Sequence, residues 1–316
     1  MTGDNAPVML PADRQGIAAA ADALRNGLLV AVPTETVYGL AARADREEAV
    51  ARIFQAKGRP SFNPLIVHVS GIEGARRVAV LDERAERLAA SFWPGALTMV
   101  LPRRGDAAIA SSVTAGLKTI ALRCPAHPAM RALLAAADLP LAAPSANRSG
   151  VVSPTTAAHV AASLGDKVDY ILDGGACSAG IESTIVALRD DGTWQVLRPG
   201  PVGQAQIAAA LGPPGETGSS ADAIEAPGQL ASHYAPGKPL RLGASQAEHD
   251  EFHIGFGPVV GDDTLSAAGD LGEAAARLYG LLHRAAASSK PRIAVAPIPE
   301  EGIGVAINDR LRRAAA

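Results

Sequence analysis

The stretch IFQAKGRPSFNPLIVHV, residues 53–69, organises the first part of this chain. Its beginning predicts the end of a helix, and the apolar run at its end predicts a strand that carries His68. Gly58 lacks a Cβ and can adopt the left-handed backbone that ends a helix. The stretch therefore predicts a loop in which Lys57 and Arg59 turn toward one point.

Two interpretations of these cations are open. Lys57 and Arg59 can form an anion clamp, or they can belong to a solvated helix end and complement the negative end of the helix dipole. On these residues alone the second interpretation is favoured, and the rest of the chain has to decide.

The composition describes a folded protein with room for two domains. The chain has 316 residues, of which 48% are hydrophobic and 19% are charged, and single cores seldom grow beyond about 250 to 300 residues. A formal net charge of -3 argues against a protein whose whole surface binds nucleic acid through counterion release. A local basic cleft is compatible with it.

Nothing in the sequence predicts a disulfide framework, a zinc site or a membrane segment. Cys124 and Cys177 form no C-x-x-C pair, which fits a reducing cytosol. The first residues, MTGDNAPVMLPADRQG, contain no basic region followed by an apolar run, and no stretch reaches the length of a membrane span. We therefore expect a cytoplasmic protein without a membrane partner.

Helices and strands are predicted to alternate, which indicates an α/β fold. Asp13 caps a first helix that Gly27 closes, and PTETVYGL, from Pro33 on, forms a loop. Asp45 and Glu48 give a capping-box-like start to the next helix. Further helices are predicted at residues 82–92 and 125–137, and at 155–164 with Ser153 as N-cap and Pro154 as first helical residue. Strands are predicted at 28–32, 65–69, 97–101, 119–122, 170–172, 183–188 and 194–197, and LPLAAPSANRSG, residues 139–150, is predicted as a strand that ends in a loop.

Residues 212–239 divide the chain. They are rich in Gly, Pro, Ser and Ala, a composition that does not fold alone and predicts a linker. After it, strands near residue 240, at 252–256 and at 292–296, with helices at 271–287 and around Leu311, predict a small α/β domain. We expect one domain at 1–211, the linker at 212–239 and a second domain at 240–316.

Several cofactor motifs are absent from the sequence. The chain has no G-x-x-x-x-G-K-[ST] and no H-E-x-x-H, and Gly255, Gly257 and Gly261 fall short of G-x-G-x-x-G. The sequence therefore predicts neither a P-loop nor a zinc protease.

Polar side chains follow several predicted strands. They are Thr34, Thr36, His68, Arg123, Ser145 and Asn147. Each alone has a plain structural explanation as a turn residue, a core histidine or a surface ion pair. Ligands of α/β sheets bind at such strand ends, however, and together the set offers hydroxyl and amide groups for a nucleoside and an arginine for a carboxylate. With Lys57 and Arg59 for phosphates, the residues suggest an anionic substrate and a nucleotide.

Several segments, in this order, resemble the two-domain form of the L-threonylcarbamoyladenylate synthase family. They are PTETVYGL, K-G-R at 57–59, S-x-N at 145–147, ESTIV at 182–186, LRPG at 197–200, ASHYAPGKPL in the linker and PIPEEGIGVAINDRLRRAA at the end. The resemblance implies a twisted mixed-sheet YrdC-like catalytic domain with flanking helices, linked to a small Rossmann-like α/β C-terminal domain. It also implies that L-threonine, bicarbonate and ATP, with Mg²⁺, give threonylcarbamoyl-AMP and pyrophosphate for the tRNA threonylcarbamoyl-transfer machinery.

The resemblance also implies the roles of individual residues. Lys57 and Arg59 would be catalytic. The ATP site would comprise Lys57, Arg59, Asn63, Thr119, Ser145, Asn147, Ser153, Arg198 and Tyr234. The L-threonine site would comprise Thr36, His68, Arg123, Ala143 and Ser183. Magnesium would be bound mainly by the phosphates, with no protein ligand predicted.

Two other functions compete with this one. An RNA-binding module could use the same basic cleft without chemistry, and a weak contact with tRNA is also compatible with the enzyme; the acidic charge balance disfavours the module. Carbamoyl transfer, used by similar domains in hydrogenase-maturation proteins, is disfavoured because the C-terminal segment matches the threonine enzyme.

Overall fold

In the computed structural model, which describes residues 6–215, 225–228 and 233–316, the strands form one sheet of ten and one sheet of four. The strands are β1 (Val8–Pro11), β2 (Val30–Pro33), β3 (Tyr38–Arg43), β4 (Ile66–His68), β5 (Leu97–Pro102), β6 (Thr119–Arg123), β7 (Leu141–Ala142), β8 (Tyr170–Asp173), β9 (Thr184–Leu188), β10 (Trp194–Arg198), β11 (Leu240–Arg241), β12 (Glu251–Gly255), β13 (Asp263–Thr264) and β14 (Arg292–Val295). The helices are α1 (Arg14–Arg25), α2 (Glu47–Lys57), α3 (Ile72–Arg76), α4 (Glu83–Phe92), α5 (Ser111–Thr114), α6 (Pro128–Ala137), α7 (Ala157–Leu164), α8 (Gln204–Leu211), α9 (Leu271–Ala287) and α10 (Gly304–Ala315), with a 3-10 turn at Gly165–Lys167.

The large sheet is mixed and places the ends of distant strands side by side. Its strand order is β1-β8-β2-β3-β7-β4-β6-β5-β9-β10. Strands β4 and β6 run parallel with His68 in register with Arg123, whereas β3 with β7 and β9 with β10 are antiparallel. The register brings His68 and Arg123 to the same carboxyl edge of the sheet.

Helices cover both faces of the large sheet. Alternate residues of β2 enter two different hydrophobic clusters, Ala31 joining Ile53 of α2 and Val32 joining Leu24 of α1 and Met130 of α6. Successive side chains of a strand point to opposite faces, so each cluster fills one face. The predicted α/β class is confirmed.

Several predicted helix ends are present. The carboxylate of Asp13 accepts a hydrogen bond from the backbone N–H of Gly16 at 2.9 Å and caps α1. Asp82 caps α4 through the N–H of Ala85, also at 2.9 Å. Helix α2 ends at Gly58, whose φ of 59° is left-handed, as the spacing of residues 53–69 predicts.

The prediction that PTETVYGL is a loop is wrong for its second half. Pro33 ends β2, Tyr38 begins β3, and the two residues pair across an antiparallel hairpin. The Thr34 hydroxyl donates to the carbonyl oxygen of Val37 at 2.7 Å and accepts from the N–H groups of Thr36 and Val37 at 3.2 Å. Because this side chain satisfies the backbone of the turn, strand pairing resumes directly after it.

Two predicted N-caps are also wrong. Helix α2 begins without a side-chain cap. Asp45, which was expected to form a capping box with Glu48, instead forms an ion pair with Arg43 at 2.7 Å. Helix α7 is capped by Thr156, because the Ser153 hydroxyl donates instead to Glu182 at 2.6 Å. Five short elements were not predicted, namely β1, α3, α5, α8 and β13.

The small sheet is parallel throughout, with the order β11-β14-β12-β13. The predicted helix at 271–287 and the helix around Leu311 are present as α9 and α10. The hydrophobic core of this part also contains Val37, Val152, Ile181 and Tyr234. This core therefore extends onto loops of the large-sheet part, although none of its described residues belongs to a strand of that sheet.

The predicted domain limits stay a prediction. Residues 1–5, and residues 216–224 and 229–232 of the predicted linker, lie outside the described residues. Within the linker, Pro227, Gly228 and Tyr234 are buried against the rest of the chain. Among the described residues no helix combines the length and the apolar character needed to cross a lipid bilayer.

Candidate active site

A cleft lies at the edge of the large sheet where β4 and β6 end. It contains about 540 Å³ of space between atoms, part of it continuous with solvent. The predicted site residues that line it are Thr36, Arg59, His68, Arg123, Ala143, Ser145, Ser183, Arg198 and Tyr234. The fold thus gathers into one site side chains that are far apart in the sequence.

Arg123, the last residue of β6, is held on two edges. Its Nε donates to the carbonyl oxygen of Gly95 at 3.1 Å, and its Nη1 donates to the Thr36 hydroxyl at 2.8 Å. Its Nη2 forms an ion pair with Oε1 of Glu35 at 2.7 Å. Because a guanidinium has five N–H groups, two of them remain for a ligand anion beside these three contacts.

The protonation states beside Arg123 follow from burial and charge. Burial would raise the pKa of Glu35, but Arg123 outweighs it and holds that pKa below its ordinary value. Burial, and then repulsion from Arg123, lower the pKa of His68 to about 3. His68 is neutral near pH 7, and its buried Nδ1 has no hydrogen-bond partner, so this atom is available to a ligand.

Two further guanidinium groups face the cleft. Nη2 of Arg59 donates to the carbonyl oxygen of Pro64 at 2.9 Å. Nε and Nη2 of Arg198 donate to the carbonyl oxygen and the hydroxyl of Ser183 at 3.1 and 3.2 Å. Burial, and then the positive charge of Arg198, lower the pKa of Arg59 to about 10. Two buried cations that repel each other favour a bound polyanion.

The carboxylate of Glu182 on the cleft wall is fully engaged. Its Oε1 accepts from the Ser153 hydroxyl at 2.6 Å, and its Oε2 accepts from the hydroxyl of Tyr279 and from Nε of Arg310, both at 2.8 Å. Burial alone would raise the pKa of Glu182, but Arg310 and then Arg198 hold it at about 2. Helices α9 and α10 thus reach the wall of the cleft.

Tyr234 is 1% exposed and forms part of the same wall. Its ring lies 5.6 Å from the ring of Tyr279, and the guanidinium carbon of Arg310 lies 5.4 Å from its centroid. His233 packs edge-on against it with ring centroids 4.1 Å apart. Gly228 has a φ of 87°, and a Cβ at this position would lie 3.2 Å from the Tyr234 hydroxyl. The described linker residues therefore close one side of the cleft.

Most buried polar atoms without a partner lie around this cleft. Beside the ion pair of Glu35 with Arg123, these atoms in the described residues are Oδ1 of Asn63, Nδ1 of His68, Nδ1 of His233 and Oγ1 of Thr264. All but the last belong to residues of the cleft or to their direct neighbours. Because buried polar groups are nearly always paired in native proteins, this cluster indicates a site that ligand atoms complete.

Lys57 and Asn147 do not line the cleft. The buried Lys57 ammonium donates to the carbonyl oxygen of Ser145 at 2.6 Å and also to that of Asn147. Burial, and then Arg59, lower the pKa of Lys57 well below its ordinary value. The Asn147 amide donates to the carbonyl oxygen of Val151 at 2.8 Å. Both residues support the wall from behind, and their direct contact with ATP stays a prediction.

Three other predicted site residues do not line the cleft either. The backbone carbonyl of Asn63 accepts from Nε of Arg59 at 3.3 Å, and the Ser153 hydroxyl is directed to Glu182. Thr119 begins β6 and lies at the opposite end of that strand from Arg123. Their nucleotide contacts stay predictions as well.

Five residues that shape the site were not predicted. They are Glu35, Glu182, His233, Tyr279 and Arg310. The first three lie inside the quoted segments PTETVYGL, ESTIV and ASHYAPGKPL. Their positions next to predicted site residues were enough to predict that they belong to the site. Tyr279 and Arg310 belong to α9 and α10, and no local pattern connects them to a cleft in the large sheet.

The residues of the cleft do not form a magnesium site on their own. Among the described residues no group of three or more His, Cys, Asp or Glu side chains is arranged to hold a metal ion. Both carboxylate oxygens of Glu182 already accept hydrogen bonds.

Two family models together match nearly the whole chain. The model described as "Telomere recombination" matches residues 22–200. The model described as "Threonylcarbamoyl-AMP synthase, C-terminal domain" matches residues 202–316.

Relatives and a solved structure agree with these models. Threonylcarbamoyl-AMP synthase of Bacillus subtilis is 41% identical and covers 95% of this chain and 92% of its own length. The protein of the same name from Pyrococcus abyssi is 38% identical over 93% of this chain and 92% of its own. The crystal structure of P. abyssi Sua5 complexed with L-threonine is 36% identical, with a TM-score of 0.88 over 98% of this chain and 97% of that one. The chain therefore belongs to the two-domain threonylcarbamoyl-AMP synthase family.

Proposed function

We propose that this chain is an L-threonylcarbamoyladenylate synthase, a nucleotidyltransferase that converts L-threonine, bicarbonate and ATP into threonylcarbamoyl-AMP and pyrophosphate. The observation that carries the proposal is the single cleft in which Arg59 and Arg198 face the same space as Arg123. Two guanidinium groups suit a polyphosphate, and the third suits a carboxylate. Relatives named threonylcarbamoyl-AMP synthase, which match along most of both chains, support it.

The threonine end of the cleft is built around Arg123. The N–H groups of Arg123 that remain beside Gly95, Thr36 and Glu35 would bind the threonine carboxylate. His68 is neutral and offers an unpaired Nδ1, which suits the threonine hydroxyl or the carbamate. Ser183 and the backbone at Ala143 would complete this pocket, and the L-threonine in the similar P. abyssi structure supports the assignment.

The chemistry requires two anions to be held together. The threonine amine attacks the carbon of bicarbonate, water leaves, and a carbamate forms. A carbamate oxygen then attacks the α-phosphorus of ATP, the bond from that phosphorus to the bridging oxygen breaks, and pyrophosphate leaves. The nucleophile is already an anion, so positioning and charge neutralisation matter more than a strong base. Arg59 and Arg198 would supply that neutralisation.

The other predicted nucleotide contacts belong to the same proposal. Ser145 and Tyr234 line the cleft directly, and a tyrosine wall that keeps water out protects a labile mixed anhydride. The contacts assigned to Lys57, Asn63, Thr119, Asn147 and Ser153 are part of the proposal too. Magnesium would arrive with ATP and be held by its phosphates.

We also place the reaction in the cytoplasm, beside the machinery that transfers the threonylcarbamoyl group to tRNA. Cys124 and Cys177 are both free and buried, which fits a reducing compartment.

Pyrophosphate release by the purified full-length protein tests the proposal. With ATP, L-threonine and bicarbonate we expect release of pyrophosphate and a product with the mass of threonylcarbamoyl-AMP. Omission of threonine or of bicarbonate should stop both signals. Pyrophosphate release that continues without either compound would contradict the proposal, and turnover of carbamoyl phosphate would point to carbamoyl transfer instead.

A further inference from the structure

We infer that helices α9 and α10 complete the nucleotide side of the cleft, with Arg310 and Tyr279 as positioning residues that keep the Glu182 carboxylate away from Arg198. The inference rests on the proposed function for the identity of the ligand as a nucleoside triphosphate. It assigns to the C-terminal part of the chain a direct effect on the charge of the site.

The Arg310 side chain makes more polar contacts than the packing of a helix requires. Its side chain has no exposed surface, although it belongs to the last helix. Its Nε donates to Glu182 at 2.8 Å, its Nη2 donates to the carbonyl oxygen of Pro199 at 3.0 Å, and its Nη1 pairs with Asp309 at 2.6 Å. Burial of a cation is unfavourable unless each edge is paired, and here two of the three partners belong to the catalytic part.

The partner of Arg310 explains this placement. Glu182 lies on the cleft wall and is buried next to the ligand space. Without Arg310, its carboxylate would retain two hydroxyl partners, and Arg198 would be the cation left to neutralise it. A carboxylate paired with Arg198 withdraws a cation from the phosphates and adds negative charge to the cleft. Arg310 therefore leaves the positive charge of Arg198 to the nucleotide.

Tyr279 acts on the same carboxylate from α9. Its hydroxyl donates to Oε2 of Glu182 at 2.8 Å. The loop before Glu182 lies directly against this helix, since a Cβ added to Gly180 would be 2.4 Å from the Cα of Ala276. So close a backbone contact fixes the distance between α9 and Glu182. Tyr234 packs on Tyr279, so the linker wall depends on the same helix.

A charge-compensating pair of variants tests the inference. We would measure binding of a non-hydrolysable ATP analogue and, separately, of L-threonine to the full-length protein by calorimetry. Arg310→Met keeps the aliphatic stem and removes the charge, and we expect it to weaken analogue binding by about tenfold or more while threonine binding stays within about twofold. The double variant Glu182→Gln/Arg310→Met, which removes both charges, should recover most of the loss.

Matched variants separate this effect from a general loss of structure. Arg312→Met lies on the same helix, where Arg312 pairs with Glu300 and both side chains are 56% exposed, and it should leave both affinities unchanged. Tyr279→Phe removes one hydroxyl and should weaken analogue binding severalfold without changing threonine binding.

Three results would overturn the inference. The first is an equal loss of affinity for the analogue and for threonine in Arg310→Met. The second is a double variant that binds the analogue no more tightly than Arg310→Met does. The third is a Tyr279→Phe protein whose affinity for the analogue is unchanged. Affinities are read without turnover, so a protein that binds the analogue but makes no threonylcarbamoyl-AMP would refute the proposed function and leave this test valid.

Discussion

The ammonium group of Lys57 lies 2.6 Å from the backbone carbonyl oxygen of Ser145 and donates a hydrogen bond to it. The same nitrogen donates to the carbonyl of Asn147, so the last residue of α2 holds the loop after β7. Ser145 and Arg59 line the cleft, whereas Lys57 lies behind it. The K-x-R and S-x-N segments therefore form one unit, in which a buried cation fixes the loop and a second cation faces the ligand.

Lys57→Met should lower the free energy of unfolding by about 1 to 3 kcal/mol, because two buried carbonyl oxygens lose their donor. Urea unfolding of the full-length protein measures this change. The control is Lys167→Met, at an exposed position, which should have little effect. Equal stability of the two variants would show that the Lys57 contacts contribute nothing.

Arg59→Ala should reduce turnover by about a hundredfold or more if Arg59 stabilises the charge that develops on the phosphates. Pyrophosphate release at saturating substrates is the measurement. Arg104→Ala, which removes an exposed guanidinium paired with Asp106, serves as the control. Turnover of Arg59→Ala within about twofold of the parent would exclude Arg59 from the phosphate site.

Arg123→Lys should raise the dissociation constant for L-threonine by about tenfold or more, because an ammonium keeps the charge but not the planar fork that contacts Thr36 and Gly95. Calorimetric titration with L-threonine provides the test. Affinity for the ATP analogue should change little, and Arg131→Lys, at an exposed position on α6, should change neither. An Arg123→Lys protein with normal threonine affinity would place the carboxylate elsewhere.

Gly228→Ala and Gly237→Ala separate backbone strain from contact with the site. Gly228 has a φ of 87° and Gly237 a φ of 77°, but a Cβ at Gly228 would lie 3.0 Å from Cδ of Arg198, while a Cβ at Gly237 meets nothing within 4 Å. Both variants should lose about 1 to 2 kcal/mol of stability from the left-handed backbone. Gly228→Ala alone should raise the KM for ATP severalfold, and equal KM values in both variants would contradict this.

Acidification below pH 6.5 should destabilise the protein. His159 stacks on His283 with ring centroids 3.9 Å apart, and burial, followed by repulsion from His283, lowers the pKa of His159 to about 4. The unfolded chain then binds more protons than the folded one between about pH 6.5 and 4, so the free energy of unfolding falls as pH falls. Burial likewise lowers the pKa of His233 to about 4, which adds to the same trend.

Urea unfolding across that pH range measures the effect. In His159→Gln the slope of the unfolding free energy should flatten by up to about 1.4 kcal/mol per pH unit, the contribution of one proton. An identical slope in the parent and the variant would show that His159 does not contribute.

Local sequence patterns were enough to predict much of the fold of this molecule. Alternating helices and strands indicated the α/β class, and Asp13, Asp82 and Gly58 marked helix ends, because caps and left-handed glycines act on neighbouring backbone groups. The ordered segments indicated the family. They also pointed to most of the polar residues that line the cleft.

The sequence by itself thus determined most of the elements, their class and the family, and only the tertiary structure decided where several polar side chains point. Lys57 holds the Ser145 loop instead of facing the cleft, and Ser153 bonds to Glu182 instead of capping α7. Arg310 reaches the same carboxylate from the last helix. A hydroxyl such as that of Ser153 can either cap a neighbouring helix or bond to a distant side chain. Which of the two it does depends on strand register and on contacts between distant segments, and a local sequence pattern holds no information on either.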